Sequence, residues 1–293
     1  LARLFDLEAA PETLALCRTL VYREIAKDRV FEEWRKLVLR GERISRGLVF
    51  LRDCGWLGRT PELEALVGCP QDPRWHPEGD VWIHTLHCMD AFAAARLGDA
   101  REDLIVGLAV LCHDLGKPET TEERDGRIVS RGHDQAGVVH ARSLLARFTA
   151  ETEVVEAVCA LVACHLAPML LHRDRSGSAA IRRLARRVGR IDRLVRVAHA
   201  DMAGRPPLPP DPFPAGEWLL EQARGLDVLE APPPRLVEGR HLIDLGFAPG
   251  SHFGPILDAC YEAQLSGEFG DLVGGLVFAR REATRAGLRP VER

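Results

Sequence analysis

Six side chains of the types that bind divalent metals are spread over residues 84 to 201 of this chain. They are four histidines and two aspartates: His84, His113, Asp114, His133, His165 and Asp201. Imidazole and carboxylate donors together suit Mn, Co, Ni, Fe or Zn better than Mg. His84, the adjacent His113 and Asp114, and Asp201 could surround one ion, and the two remaining histidines could hold a second. Metal ions with open positions activate water, so the pattern predicts a hydrolase.

The adjacent His113 and Asp114 follow a largely apolar run and open a turn, in Leu111-Cys112-His113-Asp114-Leu115-Gly116-Lys117. A carboxylate buried without a partner costs several kcal/mol, which a bound metal would relieve. A satisfied pair at a capped helix end is the alternative. Asp114 could bridge two ions, and Lys117 could neutralise a phosphate or protonate the leaving oxygen, so both are candidate catalytic residues. Asp201 also follows an apolar helix, and Arg205 after it is either a phosphate contact or a surface arginine.

The other histidines also allow a purely structural interpretation. His133 follows a glycine at the start of a helix. His165 ends an apolar helix, where the helix dipole alone favours a histidine. His87 lies one turn after His84, and we predict that it is a core histidine or one that supports a ligand. His140, two turns after His133, could be a core residue and is a weaker candidate for a ligand.

Hydrophobic periodicity predicts helices along most of the chain and an all-α fold. The predicted helices begin at Pro11 and then cover residues 29–39, 46–54 with Ser45 as the cap, 81–97, 102–113, 134–148, 152–166, 178–203 with a break at Gly189, 217–230, 252–265 and 271–286. Asp125-Gly126 predicts a hairpin that joins residues 120–124 to 127–130. Six prolines between Gly204 and Gly216 predict a stiff connector and a domain boundary.

The order of the ligands resembles that of the HD-domain phosphohydrolases, a superfamily named for its His-Asp pair. The resemblance covers residues 76–205, where the pair opens a Leu-Gly-Lys turn after an apolar helix. It implies a helical core with metals that activate water against phosphate esters. It also favours His84 over His87 as the first ligand.

The flanking segments resemble the neck, body and tail of bacterial CCA-adding tRNA nucleotidyltransferases, many of which carry an HD domain between them. The similar segments are Pro11–Leu14, Phe31–Leu39, Ser45–Leu48, Leu51–Gly55, Gly246–Gly250 and Tyr261–Glu268. The polymerase head of that family uses an Asp-x-Asp pair, which this sequence lacks, so nucleotide addition is not implied. The resemblance predicts a helical neck- and body-like RNA-binding segment at 1–75, the HD domain at 76–205, and a Pro-rich linker with a helical tail at 206–293.

The same resemblance implies 2′,3′-cyclic phosphodiesterase and phosphatase activity on RNA ends or nucleotides, with tRNA as a candidate partner. Two alternatives stay open: an HD nucleotidase that acts on free (deoxy)nucleotides, and a tRNA-binding module with a structural metal. Seven arginines between Arg182 and Arg196 form a dense basic run. Such a run is either a solvated face or an RNA-backbone contact, which would make RNA affinity depend on salt.

Composition limits the remaining classes. The net charge of -4 does not by itself call for nucleic-acid binding. Eight cysteines without a Cys-x-x-Cys pair predict reduced thiols and a cytoplasmic protein. No run is expected to span a membrane, and no obligate protein partner is evident. The chain begins at Leu1 rather than Met, which suggests that a longer chain was trimmed, and a polymerase head could have preceded it.

Overall fold

The computed structural model describes residues 8–20, 25–209 and 211–289. These residues form sixteen α-helices and one two-stranded sheet, which confirms the predicted helical fold class. The elements up to the sheet are α1 (Pro11–Thr19), α2 (Lys27–Arg40), α3 (Ile44–Asp53), α4 (Pro61–Glu64), α5 (Val81–Ala94), α6 (Ala100–Cys112), α7 (Lys117–Thr120), β1 (Thr121–Arg124) and β2 (Arg127–Ser130). Those after it are α8 (His133–Phe148), α9 (Thr152–Val162), α10 (Ala167–Arg173), α11 (Ser178–Val188), α12 (Ile191–Ala203), α13 (Pro214–Gly225), α14 (Gly239–Asp244), α15 (Phe253–Ser266) and α16 (Leu272–Arg285).

The described residues group into two compact units. Unit 1 contains those up to Asp174 together with Ile191–Leu220, and unit 2 contains Arg175–Arg190 together with those from Glu221 onwards. The predicted segments 1–75, 76–205 and 206–293 are family-like segments of the chain rather than packing units, and this division stays a prediction. Pro210, one of the six prolines of the predicted connector, lies outside the described residues.

Helix α6 is the central helix of unit 1. Every residue from Asp103 to Cys112 is buried, and a helix that is apolar around most of its circumference must be covered on all sides. Helices α2, α5, α9 and α12 pack against it. Gly107 allows the closest approach, because a Cβ there would lie 2.5 Å from Val38 Cγ1 and 2.6 Å from Phe92 Cε1. This packing holds the C-terminal end of α6 in place.

The predicted hairpin is confirmed. Strands β1 and β2 are antiparallel, and Thr121 pairs with Ser130. At the turn, Asp125 has φ 53° and Gly126 has φ 69°. A tight hairpin turn of the favoured kind requires positive φ at both central residues, and Asp-Gly provides it. The hairpin connects the end of α7 to the start of α8.

Several helix ends differ from the predicted ones. The break at Gly189 is confirmed, with φ 74° at that residue. Helix α13 begins at Pro214, earlier than predicted, because proline suits the first helical position. The predicted cap by Ser45 is wrong. Ser45 lies inside α3, and its amide and hydroxyl both donate to Asp90, at 2.8 and 2.6 Å.

One apolar stretch has the length and composition to cross a membrane, contrary to the prediction. This stretch, Thr152–Arg173, is 22 residues long, and 56% of its most apolar part is buried within the protein. It comprises α9 and α10, which a turn at 163–166 separates. Helix α9 packs against α6 and α8. A core helix of this kind passes the same test of length and composition, so the stretch is weak evidence for a membrane span.

The basic run from Arg182 to Arg196 is divided between two helices of different units. In unit 1, α12 binds α6 through the ion pairs Arg193–Glu102 and Arg196–Asp103. In unit 2, α11 binds α15 through the ion pairs Arg183–Glu262 and Arg186–Glu262. Four of the seven arginines therefore stabilise packing within a unit, and the run does not form one continuous basic helix.

Unit 2 has its own apolar core. Leu242 of α14, Ile256 of α15 and Phe269 belong to it, together with Ala279 of α16. Beside this core, the Tyr261 ring lies between two guanidinium groups, those of Arg186 at 4.8 Å and Arg235 at 4.7 Å.

All eight cysteines are free, and all but Cys17 are buried. None of the eight is paired in a disulfide, and the reduced state stays a prediction. Burial raises the pKa of several of these thiols, including Cys88 and Cys159. They act as small apolar residues of the core.

Candidate metal centre

Unit 1 brings all six predicted ligands together at one end of its core. Each lies at or near the end of an element: His84 in α5, His113 and Asp114 directly after α6, His133 as the first residue of α8, His165 in the turn after α9, and Asp201 near the end of α12. Five of the six residues are buried, and Asp201 is half-buried. The core helices thus position side chains that are distant in sequence.

Three of the histidines are oriented by the same backbone contact. In each, Nδ1 donates to the carbonyl oxygen three residues earlier: His113 to Val110 at 2.7 Å, His133 to Ser130 at 2.7 Å, and His165 to Val162 at 2.8 Å. A carbonyl can only accept, so the proton of a neutral imidazole is assigned to Nδ1 and the lone pair to Nε2. Ligand histidines are commonly held in this way by the ring nitrogen that does not bind the metal.

His84 is oriented by a carboxylate. Its Nδ1 lies 2.8 Å from Glu78 Oε1, and both side chains are fully buried. The Gly204 carbonyl lies 3.2 Å from the same nitrogen. Glu78 also accepts from His76 Nδ1 at 2.9 Å. Burial would raise the pKa of Glu78, but the hydrogen bonds from His76 and His84 lower that pKa to about 2.

The Nε2 atoms of these histidines converge. Those of His84 and His113 are 3.3 Å apart, and those of His133 and His165 are 3.2 Å apart. Neutral imidazoles with protonated Nδ1 atoms would direct two lone pairs at each other at these distances, which is repulsive without a cation between them. Imidazole and carboxylate donors in this arrangement are those of a transition-metal site. The six residues therefore fit a divalent ion.

Asp114 faces both pairs of histidines. Its Oδ2 lies 3.2 Å from His113 Nε2 and 3.7 Å from His84 Nε2, and its Oδ1 lies 3.4 Å from His133 Nε2. Asp201 Oδ1 lies 3.2 Å from His84 Nε2. The six donors fall into two groups, and within each group the ligand atoms lie close enough together to share one ion. The first group consists of His84, His113 and Asp201, with Cys88 beside them. The second consists of Asp114, His133 and His165.

The surroundings of the cluster keep its two aspartates ionised and the buried His165 neutral. Burial would raise the pKa of Asp114, but His113 and Lys117 hold it well below its usual range. The same holds for the pKa of Asp201, which burial would raise and the hydrogen bond from His84 lowers. Burial and the neighbouring histidines lower the pKa of His165 to about 4. That imidazole is therefore neutral at neutral pH, the form in which it binds a metal.

Lys117 is held against the ligands. Its Nζ lies 2.7 Å from Asp114 Oδ2 and donates to Gln71 Oε1 at 2.6 Å. The side chain is buried, yet it borders the cavity in front of the cluster. A fixed positive charge therefore lies beside the candidate ligand Asp114, where a phosphate could reach it.

A cavity of about 280 Å³ opens onto the cluster. Asp114, His133, His165 and Asp201 form part of its lining. The predicted phosphate contact Arg205 also lines it, and the Arg205 Nε donates to Met202 O at 3.3 Å. Pockets for small molecules are typically about 300–1,000 Å³, and this cavity lies just below that range, so its size suits a small phosphoester rather than a folded macromolecule.

The remaining predictions for histidines have mixed outcomes. His87 is exposed on α5, so the prediction of a core or supporting histidine is wrong. His140 is half-buried and lies 2.8 Å from Glu119. Sequence reasoning missed Glu78 and Gln71. Both come from the loop before α5, which has no periodicity, and an acid six residues before His84 was the only signal.

Comparison with known proteins agrees with this geometry. The HD domain family matches residues 81–197. Five of the six candidate ligands lie within this range, and Asp201 lies just beyond it. The chain therefore contains an HD domain, and this supports the prediction that it is a metal-dependent phosphohydrolase.

The similarity extends into the flanking segments. The chain is 34% identical over 236 residues to a multifunctional CCA protein of Alkalilimnicola ehrlichii, covering 76% of this chain and 54% of that protein. For that of Stenotrophomonas maltophilia the identity is 34% over 256 residues, covering 80% and 60%. For that of Burkholderia cenocepacia it is 34% over 241 residues, covering 77% and 56%. The chain thus spans little more than half the length of these relatives.

Proposed function

We propose that the HD domain of this chain hydrolyses 2′,3′-cyclic phosphates and phosphate monoesters at RNA ends. The observation that carries the proposal is the convergence of four imidazole Nε2 atoms around Asp114. Those of His84 and His113 are 3.3 Å apart, and those of His133 and His165 are 3.2 Å apart. The ligand assignments of His84, His113, Asp114, His133, His165 and Asp201 are part of this proposal.

A divalent transition ion bound there would supply Lewis-acid activation of water and of phosphate oxygens. Asp114 faces the histidines of both groups and so could serve two ions. Lys117 holds its ammonium 2.7 Å from Asp114 and borders the cavity, where it could neutralise a phosphate or protonate a leaving oxygen. Arg205, on the same cavity, would contact the phosphate from another side.

RNA ends are the first choice of substrate because of chemistry and similarity. A 2′,3′-cyclic phosphate is a strained diester, so its ring can open without a strong acid at the leaving oxygen. The relatives are multifunctional CCA proteins, and the similarity to them reaches well beyond the HD domain. A small cavity in front of the ligands suits a terminal nucleotide of an RNA.

A nucleotidase that acts on free deoxynucleotides is the second candidate. The arginine pairs favour it, because Arg193 and Arg196 bind Glu102 and Asp103 of α6 instead of forming an open basic face. A nucleotidase needs no affinity for an RNA backbone.

Turnover with defined substrates tests the proposal. The purified protein, loaded with Mn, Ni or Co, is given adenosine 2′,3′-cyclic phosphate, an RNA oligonucleotide with a cyclic phosphate end, and deoxynucleotides. We expect metal-dependent hydrolysis of the first two and a loss of activity with chelator. Brisk cleavage of deoxynucleotides alone would favour the nucleotidase, and metal binding without turnover of any phosphoester would favour a tRNA-binding module.

Metal analysis of the same preparation tests the count of ions. We expect two transition ions per chain, because the donors form two groups and Asp114 faces both. Elemental analysis measures the ratio directly, and His165→Ala should reduce it to one. A ratio of one in the unaltered protein, with no change in His165→Ala, would reduce the site to His84, His113, Asp114 and Asp201.

A further inference from the structure

An exposed tryptophan lies at the mouth of the cavity that faces the candidate ligands. Trp75 is 66% exposed and lines the same cavity as Asp114, Lys117 and Asp201. Trp34 and Trp82, in contrast, are buried in unit 1. Leaving an indole in water forgoes the favourable free energy of its burial. Such a residue beside a candidate active site is therefore a candidate for contact with the ligand.

The turn that carries Trp75 is held firmly. The amides of Trp75 and His76 both donate to the Asp72 carbonyl, at 3.0 and 2.9 Å. The Asp72 carboxylate accepts from the Arg74 amide at 3.0 Å. The next residue, His76, is anchored in the cluster, with its ring centroid 4.7 Å from that of His84. The backbone of Trp75 is thus fixed relative to the candidate ligands.

The cavity joins two kinds of surface. Its polar part consists of buried charged and imidazole groups, among them Asp114 and His165. Its apolar part includes Trp75 and Met169, which are 66% and 52% exposed. A ligand that matches both surfaces carries an anionic group together with a flat apolar group.

We infer that Trp75 stacks on the nucleobase next to the phosphate that is hydrolysed. The inference rests on the proposed function and specifies its substrate class as nucleoside phosphates, including terminal nucleotides of RNA. Every base has a π-face, so stacking on one indole binds bases with little sequence preference. Trp75 would therefore favour substrates that carry a nucleobase, whichever of the four bases it is.

The test compares a cyclic phosphate that carries a base with one that does not. The substrates are adenosine 2′,3′-cyclic phosphate and glycerol 1,2-cyclic phosphate, with the metal-loaded full chain. Trp75→Ala should lower kcat/KM about ten-fold for the adenosine substrate, mainly through KM. This is the equivalent of roughly 1.4 kcal/mol, the scale of base stacking on an aromatic residue. The glycerol substrate should be unaffected.

Two further variants control for folding and for simple loss of apolar surface. Trp75→Phe keeps an aromatic face and should retain most of the activity on the adenosine substrate. Leu97→Ala removes another apolar side chain, which is 69% exposed and does not line the cavity. This variant should leave kcat/KM unchanged for both substrates. An equal loss on both substrates in Trp75→Ala, or no loss on either, would overturn the inference.

Failure of the proposed function would be distinguishable. If the unaltered protein hydrolyses neither substrate, the same comparison is made by calorimetric binding of adenosine 3′-monophosphate and of inorganic phosphate. Trp75→Ala should then weaken binding of the nucleotide about ten-fold and leave phosphate binding unchanged. Equal affinities of the unaltered protein and Trp75→Ala for the nucleotide would refute stacking.

Discussion

Two aspartates at opposite ends of α6, Asp103 and Asp114, are equally buried and have opposite surroundings. Each is 2% exposed. Asp103 accepts from the amides of Leu97 at 3.1 Å and Gly98 at 2.8 Å, and it forms an ion pair with Arg196. Its charge is fully compensated by the protein itself.

Asp114, in contrast, lies among imidazole nitrogens and other acids. Lys117 is 2.7 Å away, but Asp201 and Glu78 lie in the same cluster as two further carboxylates. Buried charge normally has a partner because its desolvation is costly. Two equally buried carboxylates can therefore have different roles. The charge of Asp103 stabilises the fold through its ion pair with Arg196, whereas the charge of Asp114 lies among imidazole nitrogens, where a cation could bind.

The largest expected effect is on catalysis at Asp114. Asp114→Asn removes the carboxylate that faces both pairs of histidines, and we expect hydrolysis to fall at least about a thousand-fold, or roughly 4 kcal/mol in the activation free energy. The metal-free variant should still fold but lose stability, because the buried Lys117 ammonium, 2.7 Å from Asp114 Oδ2, is left without its carboxylate, and breaking such a pair costs about 3 kcal/mol of unfolding free energy. Initial rates under metal saturation and urea unfolding measure the two. Normal turnover in Asp114→Asn would refute the metal-site interpretation.

Asp103→Asn should lower the stability of the fold without lowering the catalytic rate. It leaves the half-buried Arg196 without its buried carboxylate partner, and breaking such a pair costs about 3 kcal/mol of unfolding free energy. The rate per folded molecule should be unchanged. Urea unfolding and the activity of the folded fraction, measured at low temperature, test this. A stable but inactive Asp103→Asn protein would contradict the distinction between the two aspartates.

The sequence allowed the candidate ligands to be named but not the groups that orient them. His113 and Asp201 could be recognised because each comes at the end of an apolar helical run, which periodicity reveals, and His84 because it lies in the first turn of a helix that periodicity also predicts. Glu78 could not, because it reaches the cluster through a loop rich in proline and glycine that has no periodicity.

Side-chain direction and distant partners were also beyond the sequence. His87 comes three residues after His84 but is exposed, because three residues rotate by only about 300° around a helix of 3.6 residues per turn, which offsets His87 by about 60° from His84. The arginines of α11 and α12 resembled a solvated face, because their acidic partners Glu262 and Glu102 are far away along the chain.

Glu78 gives the next largest effect, on metal affinity. It is the carboxylate that holds the candidate ligand His84 by its Nδ1, while the carbonyls of Val110, Ser130 and Val162 hold the other three candidate histidines. Glu78→Gln should make His84 a weaker donor and reduce metal affinity about 10–100-fold. Competition with a chelator measures the dissociation constant. Glu64→Gln, on an exposed acid of α4, is the matched control, and an equal affinity in both variants would show that Glu78 has no influence on the ligand.

The smallest expected effect concerns Glu62, an acid of α4 that, like Asp103, has partners of its own. It accepts from Ser143 Oγ at 2.6 Å and from Arg147 Nη2 at 3.2 Å, and both donors lie on α8. Burial would raise the pKa of Glu62, but the hydrogen bonds and the charge of Arg147 lower it. Because Arg147 is partly exposed, we expect Glu62→Gln to cost only about 1 kcal/mol at pH 7.

The sign of the pH dependence follows from the lowered pKa. A carboxylate with a pKa lower in the folded than in the unfolded state stabilises the fold above its unfolded pKa of about 4.3. That stability is lost as the pH falls through the folded pKa. The difference in urea midpoint between the unaltered protein and Glu62→Gln should therefore be constant from pH 8 to 6 and shrink below about pH 4. A difference that persists undiminished at low pH would mean that Glu62 acts through packing rather than charge. The Glu64→Gln variant is the control, because it shows how the loss of an exposed acid changes the urea midpoint over the same pH range.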